Sequence, residues 1–151
     1  MKISAVAIKS WPIFHGMTES DIEEILKICE IVDYKAGDQI IKENGLPVAM
    51  YILIEGECKV TVSQSGKEIL VATIGPTEIF GEVGFVDDYP RTATVTATKP
   101  SKVLLLRKSK FEELVERNTK LGFKLMKNIA YVIAKRLRKV DEKLKQLPMY
   151  T

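Results

Sequence analysis

Residues 80–95 carry the most informative pattern of this chain: Phe80-Gly81-Glu82-Val83-Gly84-Phe85-Val86-Asp87-Asp88-Tyr89-Pro90-Arg91-Thr92-Ala93-Thr94-Val95. Gly81 lacks a Cβ, so the backbone there can approach a ligand closely, and the residues after it can form a short helical turn that attracts an anion. Arg91 offers a planar fork of donors that suits a phosphate, and Glu82 is an acceptor that suits a ribose hydroxyl. Pro90 fixes the backbone before Arg91. The segment therefore indicates a binding site for an anionic sugar.

This segment resembles the phosphate-binding cassette of the cyclic nucleotide-binding domain family. The family pattern is Phe-Gly-Glu, then hydrophobic, small and hydrophobic residues, a short insert, and Pro-Arg-x-Ala-Thr-Val, which residues 80–95 fit without a gap. The resemblance implies that Glu82 accepts from the ribose 2′-hydroxyl and that Arg91 pairs with the cyclic phosphate. It also implies a phosphate cradle of backbone N–H groups around Val83, Gly84 and Ala93. The alternative, a surface ion pair between Glu82 and Arg91, would contribute only about 0–1 kcal/mol to stability.

The resemblance also suggests contacts to the base. Val71 and Ala72 lie where family members place apolar base contacts, although both residues also suit a core. Thr92 stands where a hydroxyl in some members reaches the guanine amino group, and it is equally suited to entering a strand. The expected lid over the base comprises Tyr131, Val132, Lys135 and Arg136. We expect both cAMP and cGMP to bind, with cAMP as the physiological ligand.

Length and composition favour one soluble domain. A chain of 151 residues, 46% hydrophobic and 28% charged, can bury one core but not two. The sequence shows no apolar run of the roughly 20 residues that span a membrane and no signal-peptide pattern, so a cytoplasmic location is expected. Cys29 and Cys58 are too few and too far apart for a disulfide framework or a zinc site, and are expected to be reduced core residues. His15 is the only histidine, which disfavours a metal-dependent β-barrel enzyme.

The chain divides into three parts of a single domain spanning residues 1–151. Residues 10–31 form an N-terminal helical part, in which we expect a helix over Thr18 to Ile31 with Ile22, Ile25, Leu26 and Cys29 on one apolar face. Residues 32–107 contain short apolar runs between glycine turns, as in an antiparallel, jelly-roll-like β-roll. Residues 109–147 are predicted to be helical. The family resemblance extends from about Trp11 to Arg136.

The last predicted helix, residues 119–147, has an apolar stripe with heptad spacing: Met126, Ala130, Ile133, Leu137, Val140, Leu144 and Leu147. In the family such a helix closes over the base, and in some members it forms a dimer contact. The segment holds nine Lys or Arg and two Asp or Glu, a charge of +7, so the rest of the chain is −4. A basic helix can bind nucleic acid or a membrane, but a solvated face is the expectation here. We do not expect these 151 residues to include the DNA-binding domain that family transcription factors carry after this helix.

The sequence thus predicts a mostly β fold with flanking helices and a non-enzymatic receptor for cAMP or cGMP, with no cofactor, metal or catalytic residue. Ligand contacts are expected to tighten the cassette, move Phe85 at a hydrophobic hinge, and swing the C-terminal helix towards the base. A ligand-free β-roll that serves only as a dimerisation scaffold is the alternative. The sequence does not distinguish a free-standing sensor from a part of a larger protein.

Overall fold

A computed structural model describes residues 3–148. Its centre is two four-stranded antiparallel sheets, ordered β1-β8-β3-β6 and β2-β7-β4-β5. The strands are β1 (Cys29–Tyr34), β2 (Gln39–Ile41), β3 (Ala49–Glu55), β4 (Cys58–Gln64), β5 (Lys67–Ile74), β6 (Ile79–Phe80), β7 (Thr94–Ala97) and β8 (Ser101–Arg107). The helices are α1 (Ala5–Ile8), a 3-10 turn (Pro12–Phe14), α2 (Glu19–Lys27), α3 (Glu82–Asp87), α4 (Lys108–Arg117) and α5 (Thr119–Lys145). The predicted antiparallel β-roll with flanking helices is therefore confirmed.

Strand β8 explains how the two cores are arranged. Its apolar run, residues 103–106, is continuous because both of its faces are covered. Val103 and Leu105 belong to the core that also contains residues of the second sheet, whereas Leu104 and Leu106 belong to the core shared with the helices. The first sheet is thus sandwiched between the second sheet and the helical layer.

Helix α2 begins where expected but ends early. Thr18 and Asp21 form a reciprocal capping box, with both hydrogen bonds at 3.1 Å, and Lys124 of α5 reaches Asp21 at 3.0 Å. The predicted helix over Thr18 to Ile31 is too long, because the chain leaves the helix at Ile28 and β1 starts at Cys29, opposite Leu106 of β8. Backbone pairing with β8 outweighs the helical spacing of the apolar residues.

Both cysteines are free. Cys58 is buried in the core between the sheets, and Cys29 is half-buried at the start of β1 rather than on the face of a helix. Burial raises the pKa of the Cys29 thiol to about 12. The thiol is therefore neutral at ordinary pH and a poor nucleophile.

Helix α5 has an anchored half and an exposed half. Leu121, Gly122, Leu125 and Ile129 are buried, and Asn128 donates to the backbone carbonyls of Ile13 and His15 at 2.7 and 2.9 Å. The later members of the heptad stripe, Leu137, Val140, Leu144 and Leu147, are exposed. No helix within residues 3–148 combines the length and apolarity needed to cross a membrane.

Candidate functional site

The cassette folds as a tight turn into α3. Gly81 precedes the helix with φ of 75°, in the left-handed region that favours glycine. A Cβ at this position would lie 2.9 Å from the Cδ1 of Ile41 and 3.1 Å from the Nη1 of Arg91. Gly81 is thus required both by backbone conformation and by the close approach of the Arg91 guanidinium.

Gly84, inside α3, is required by close packing alone. A Cβ there would lie 2.7 Å from the Cβ of Pro47 and 3.1 Å from the backbone oxygen of Tyr89. Two non-bonded carbon atoms cannot approach within 3.0 Å, so a larger residue would displace α3 from the loop that contains Pro47. The small residue of the cassette pattern therefore sets the position of the helix that carries Glu82.

Arg91 is held by backbone carbonyls. Its Nη1 donates to the Gly81 carbonyl at 2.6 Å and its Nη2 donates to the Ala49 carbonyl. The side chain is buried, and burial lowers the pKa of the guanidinium, an effect that Tyr51 and Glu82 oppose. Since its hydrogen bonds go to neutral carbonyls, Arg91 keeps a positive charge that a bound anion can neutralise.

Glu82 is paired with α5. Its Oε1 accepts from the Nη1 of Arg136 at 2.5 Å, while the Nη2 of Arg136 donates to the Ile79 carbonyl at 2.5 Å. The Glu82 side chain is 7% exposed and that of Arg136 is 35% exposed. The carboxylate of Glu78 lies 3.9 Å from the same Nη2. A carboxylate has two oxygens with about four acceptor sites, so the pair with Arg136 leaves Glu82 capacity for a further donor.

These residues line one cavity of about 280 Å³ between the cassette, the second sheet and α5. Of the residues singled out from the sequence, those brought together here are Gly81, Glu82, Val83, Gly84, Arg91, Thr92, Ala93, Ala72 and Arg136. The sequence analysis assigned no ligand contact to the remaining wall, which is Ile41, Val60 and Ile74 outside the cassette and Phe80, Asp87, Tyr89, Pro90 and Val95 within it. Ala72 and Ile74 lie two residues apart on β5 and so face the same side, but which face of the second sheet forms a cavity depends on the tertiary fold.

Val71 does not line this cavity, contrary to the expectation for an apolar base contact. It is 55% exposed on β5. In the β4–β5 ladder Val60 pairs with Ala72 and Thr61 pairs with Leu70, so Val71 is the extra residue of a β-bulge. The bulge leaves Ala72 opposite Val60 on the cavity wall and leaves Val71 outside.

The predicted lid residues separate into two groups. Arg136 lines the main cavity, whereas Tyr131, Val132 and Lys135 line a neighbouring cavity of about 170 Å³. Arg136 also contributes to the wall of this neighbouring cavity. Lys135 lies over the Tyr131 ring, with its Nζ 5.9 Å from the ring centroid. In this structure the first three residues therefore do not cover the site, and only Arg136 among the predicted lid residues reaches it.

A hydrophobic contact links the cassette to the helices that follow the sheet. Phe85 of α3 is almost fully buried, and its ring centroid lies 5.3 Å from that of Phe111 in α4. Asn118 joins α4 to α5, and its side chain accepts from the Leu121 N–H at the start of α5. Phe85 and Phe111 thus place the cassette helix in contact with α4, the helix that leads into α5.

Comparison with known proteins agrees with this geometry. The family model described as the cyclic nucleotide-binding domain matches residues 31–118. The chain is 28% identical over 138 residues to the cyclic AMP receptor protein of Thermus thermophilus. This match covers 91% of this chain and 62% of the relative. It is 34% identical over 108 residues to a cAMP-dependent protein kinase regulatory subunit of Eremothecium gossypii, covering 72% of this chain and 23% of the relative. These curated relatives are thus considerably longer than the part that this chain matches.

The fold is found in a solved structure as well. The crystal structure of the Thermus thermophilus catabolite activator protein superposes with a TM-score of 0.79 at 27% identity, covering 89% of this chain and 62% of that one. The family match includes all of residues 80–95 and more than half of the whole chain. This chain therefore belongs to the cyclic nucleotide-binding domain family.

Proposed function

We propose that this protein is a non-enzymatic receptor for a cyclic nucleotide and that α5 reports whether the site is occupied. One observation carries the proposal: the cavity contains a buried guanidinium, Arg91, that pairs with no carboxylate within residues 3–148, and a buried carboxylate, Glu82, that contacts α5. A cyclic nucleotide presents one phosphate charge and one ribose hydroxyl. The phosphate would pair with Arg91, and the hydroxyl would donate to Glu82.

The route from the site to α5 has two branches. Phosphate binding at Arg91 would tighten α3, and Phe85 would pass the shift to Phe111 and α4. Ribose binding at Glu82 would place the ligand beside the Glu82–Arg136 pair, which joins the cassette to α5. A ligand can shift the equilibrium between two positions of α5 only if it binds one of them more tightly. Each branch must therefore make contacts that differ between the two helix positions.

A second copy of the chain is the proposed partner of α5. Leu137, Val140, Leu144 and Leu147 continue the heptad stripe beyond the anchored half of the helix and are exposed. An apolar seam of this spacing is buried when two helices pair. A scaffold that dimerises in this way without a ligand remains the alternative function, and it would give the buried positive charge of Arg91 no anion to neutralise.

We propose cAMP as the physiological ligand, with cGMP also able to bind. Two relatives are named for cAMP, the Thermus receptor and the Eremothecium regulatory subunit. Thr92 lines the cavity and is exposed before β7 begins at Thr94, so its hydroxyl is available to a base as well as to a phosphate.

Calorimetric titration with cAMP and cGMP in parallel tests the proposal. We expect saturable one-site binding of both nucleotides and no binding of 5′-AMP at the same concentrations. Binding of the 2′-deoxy analogue of cAMP should be weaker, and Glu82→Ala should remove most of that difference. Absence of heat and of a thermal shift with either cyclic nucleotide would leave the scaffold function as the better account.

A further inference from the structure

Arg136 connects α5 to the main cavity. Arg136 is the one described residue of α5 that lines the main cavity. It lies seven positions after Ile129, the last buried residue of the helix, which corresponds to about 10 Å along the axis. Its guanidinium bridges α3, through Glu82, to the residue that opens β6, through the Ile79 carbonyl. Arg136 thus fastens the second half of α5 across one side of the site.

Resting on the proposed function, we propose that Arg136 is a latch that must open whenever a nucleotide enters or leaves the cavity. The cavity of about 280 Å³ lies just below the roughly 300–1,000 Å³ usual for small-ligand sites, so a bridge across its side restricts passage. The bridge does not compete with the ribose for Glu82. Oε1 takes the hydrogen bond from Arg136, and the carboxylate retains capacity for a ribose hydroxyl.

The latch is suited to repeated opening. The Arg136 side chain is 35% exposed, and charge pairs with access to water are much weaker than fully buried ones. Glu78 offers a second carboxylate 3.9 Å away, towards which the guanidinium can move when it leaves Glu82. The anchoring of α5 by Asn128 and Lys124 does not depend on Arg136, so opening would release the exposed half of the helix without detaching the first half.

Stopped-flow kinetics of Arg136→Gln distinguish a latch from a simple charge at the entrance. The probe is cAMP carrying a fluorophore on C8 of the base, which leaves the ribose hydroxyl free. Removing a positive charge near an anion site slows association through lost electrostatic steering. Removing a latch accelerates it. We expect both the association and the dissociation rate constants to rise about fivefold, the upper range for a water-accessible ion pair, with a smaller change in Kd.

Two variants control for charge. Lys139→Gln removes a positive charge one turn along, from a residue that lines only the neighbouring cavity, and should leave association unchanged or slower. Arg136→Lys keeps the charge but lacks the fork that spans Glu82 and the Ile79 carbonyl, so it should also accelerate both steps. The latch is refuted if Arg136→Gln slows association as Lys139→Gln does. It is equally refuted if only dissociation becomes faster, because Arg136 would then hold the ligand instead of gating it.

Hydrogen exchange of the nucleotide-free protein tests the latch independently of binding. Arg136→Gln should increase amide exchange over residues 137–145 and leave residues 121–129 protected as in the parent. Unchanged exchange in the distal segment would show that Arg136 does not fasten it and would overturn the inference. If the parent protein binds no cyclic nucleotide, the proposed function and the kinetic role fail together, whereas the exchange result still reports whether the latch exists.

Discussion

Arg91→Ala would test the assignment of the site most directly. In the free protein the guanidinium donates to the carbonyls of Gly81 and Ala49. Its removal leaves the buried Ala49 carbonyl and the half-buried Gly81 carbonyl without this donor, and an unsatisfied buried acceptor costs about 1–3 kcal/mol. The alanine variant no longer buries a cation, so the desolvation free energy of that cation is no longer paid, and this offsets part of the cost. We therefore expect a moderate loss of folding stability of about 1–2 kcal/mol.

The effect on binding should be larger. A phosphate in this cavity would lose its paired cation, and breaking a buried charge pair from one side costs about 3–5 kcal/mol. At about 1.4 kcal/mol for each factor of ten, affinity should fall by roughly two to three decades or more. Thermal unfolding would establish that the variant is folded, and calorimetry with cAMP would give the loss.

Arg107→Ala is a matched control. Arg107, at the end of β8, is an exposed arginine that pairs with Glu30 at 2.7 Å and does not line the cavity. This variant should bind cAMP like the parent protein. A folded Arg91→Ala variant whose affinity lies within threefold of that of the parent would refute the assignment of the phosphate to Arg91.

Three further predictions concern the base, the oligomer and pH. Thr92→Ala should weaken cGMP by about 1 kcal/mol, the contribution of a typical hydrogen bond, and leave cAMP nearly unchanged; equal losses in calorimetry would instead assign Thr92 to the phosphate or the strand. Replacing Leu137 and Leu144 with glutamate should convert a dimer into monomers in sedimentation, and a parent that is already monomeric at high concentration, with and without ligand, contradicts the proposed pairing. Burial alone would raise the pKa of Asp21, but hydrogen bonds from Thr18 and Lys124 outweigh it and lower the pKa. A lowered pKa contributes stability above the unfolded value of about 3.9 that is lost as pH falls. Asp21→Asn should therefore cost about 1 kcal/mol at pH 7 and progressively less below about pH 4 in urea titrations, whereas a cost that does not change with pH would assign the effect to cap geometry alone.

The fold was predictable from the sequence where the local signal and the tertiary environment agree. The apolar run at residues 103–106 indicates a strand, and β8 is buried on both faces. Cys29 shows the opposite case. Its helical spacing from Ile22, Ile25 and Leu26 is real, but pairing with β8 begins at this residue and ends the helix. Helical spacing over 14 residues cannot show that a distant strand will compete for the last turn.

Val71 and the contact between Arg136 and Glu82 show what the sequence could not predict about the site. A bulge displaces Val71 from the wall that Ala72 joins, and an irregularity of one residue in a ladder leaves no clear mark in an alternating sequence. The cassette could be recognised because its functional groups lie within 16 consecutive residues. Arg136 lies 54 residues after Glu82, and its position depends on how α5 leaves the body of the protein.

That departure is set by packing at the start of α5. A Cβ on Gly122 would lie 2.7 Å from the Cγ2 of Val115, so only glycine lets α5 come this close to α4. This close approach, with Asn128 bonded to the Ile13 carbonyl at 2.7 Å, fixes the direction of a helix that extends well past its last buried residue. Because the helix rises about 1.5 Å per residue, a small change of direction at Gly122 would move Arg136, fourteen residues later, by several ångströms. The ion pair with Glu82 therefore depends on contacts about 20 Å away, and a ligand that shifts α4 through Phe85 and Phe111 would act on the same pivot.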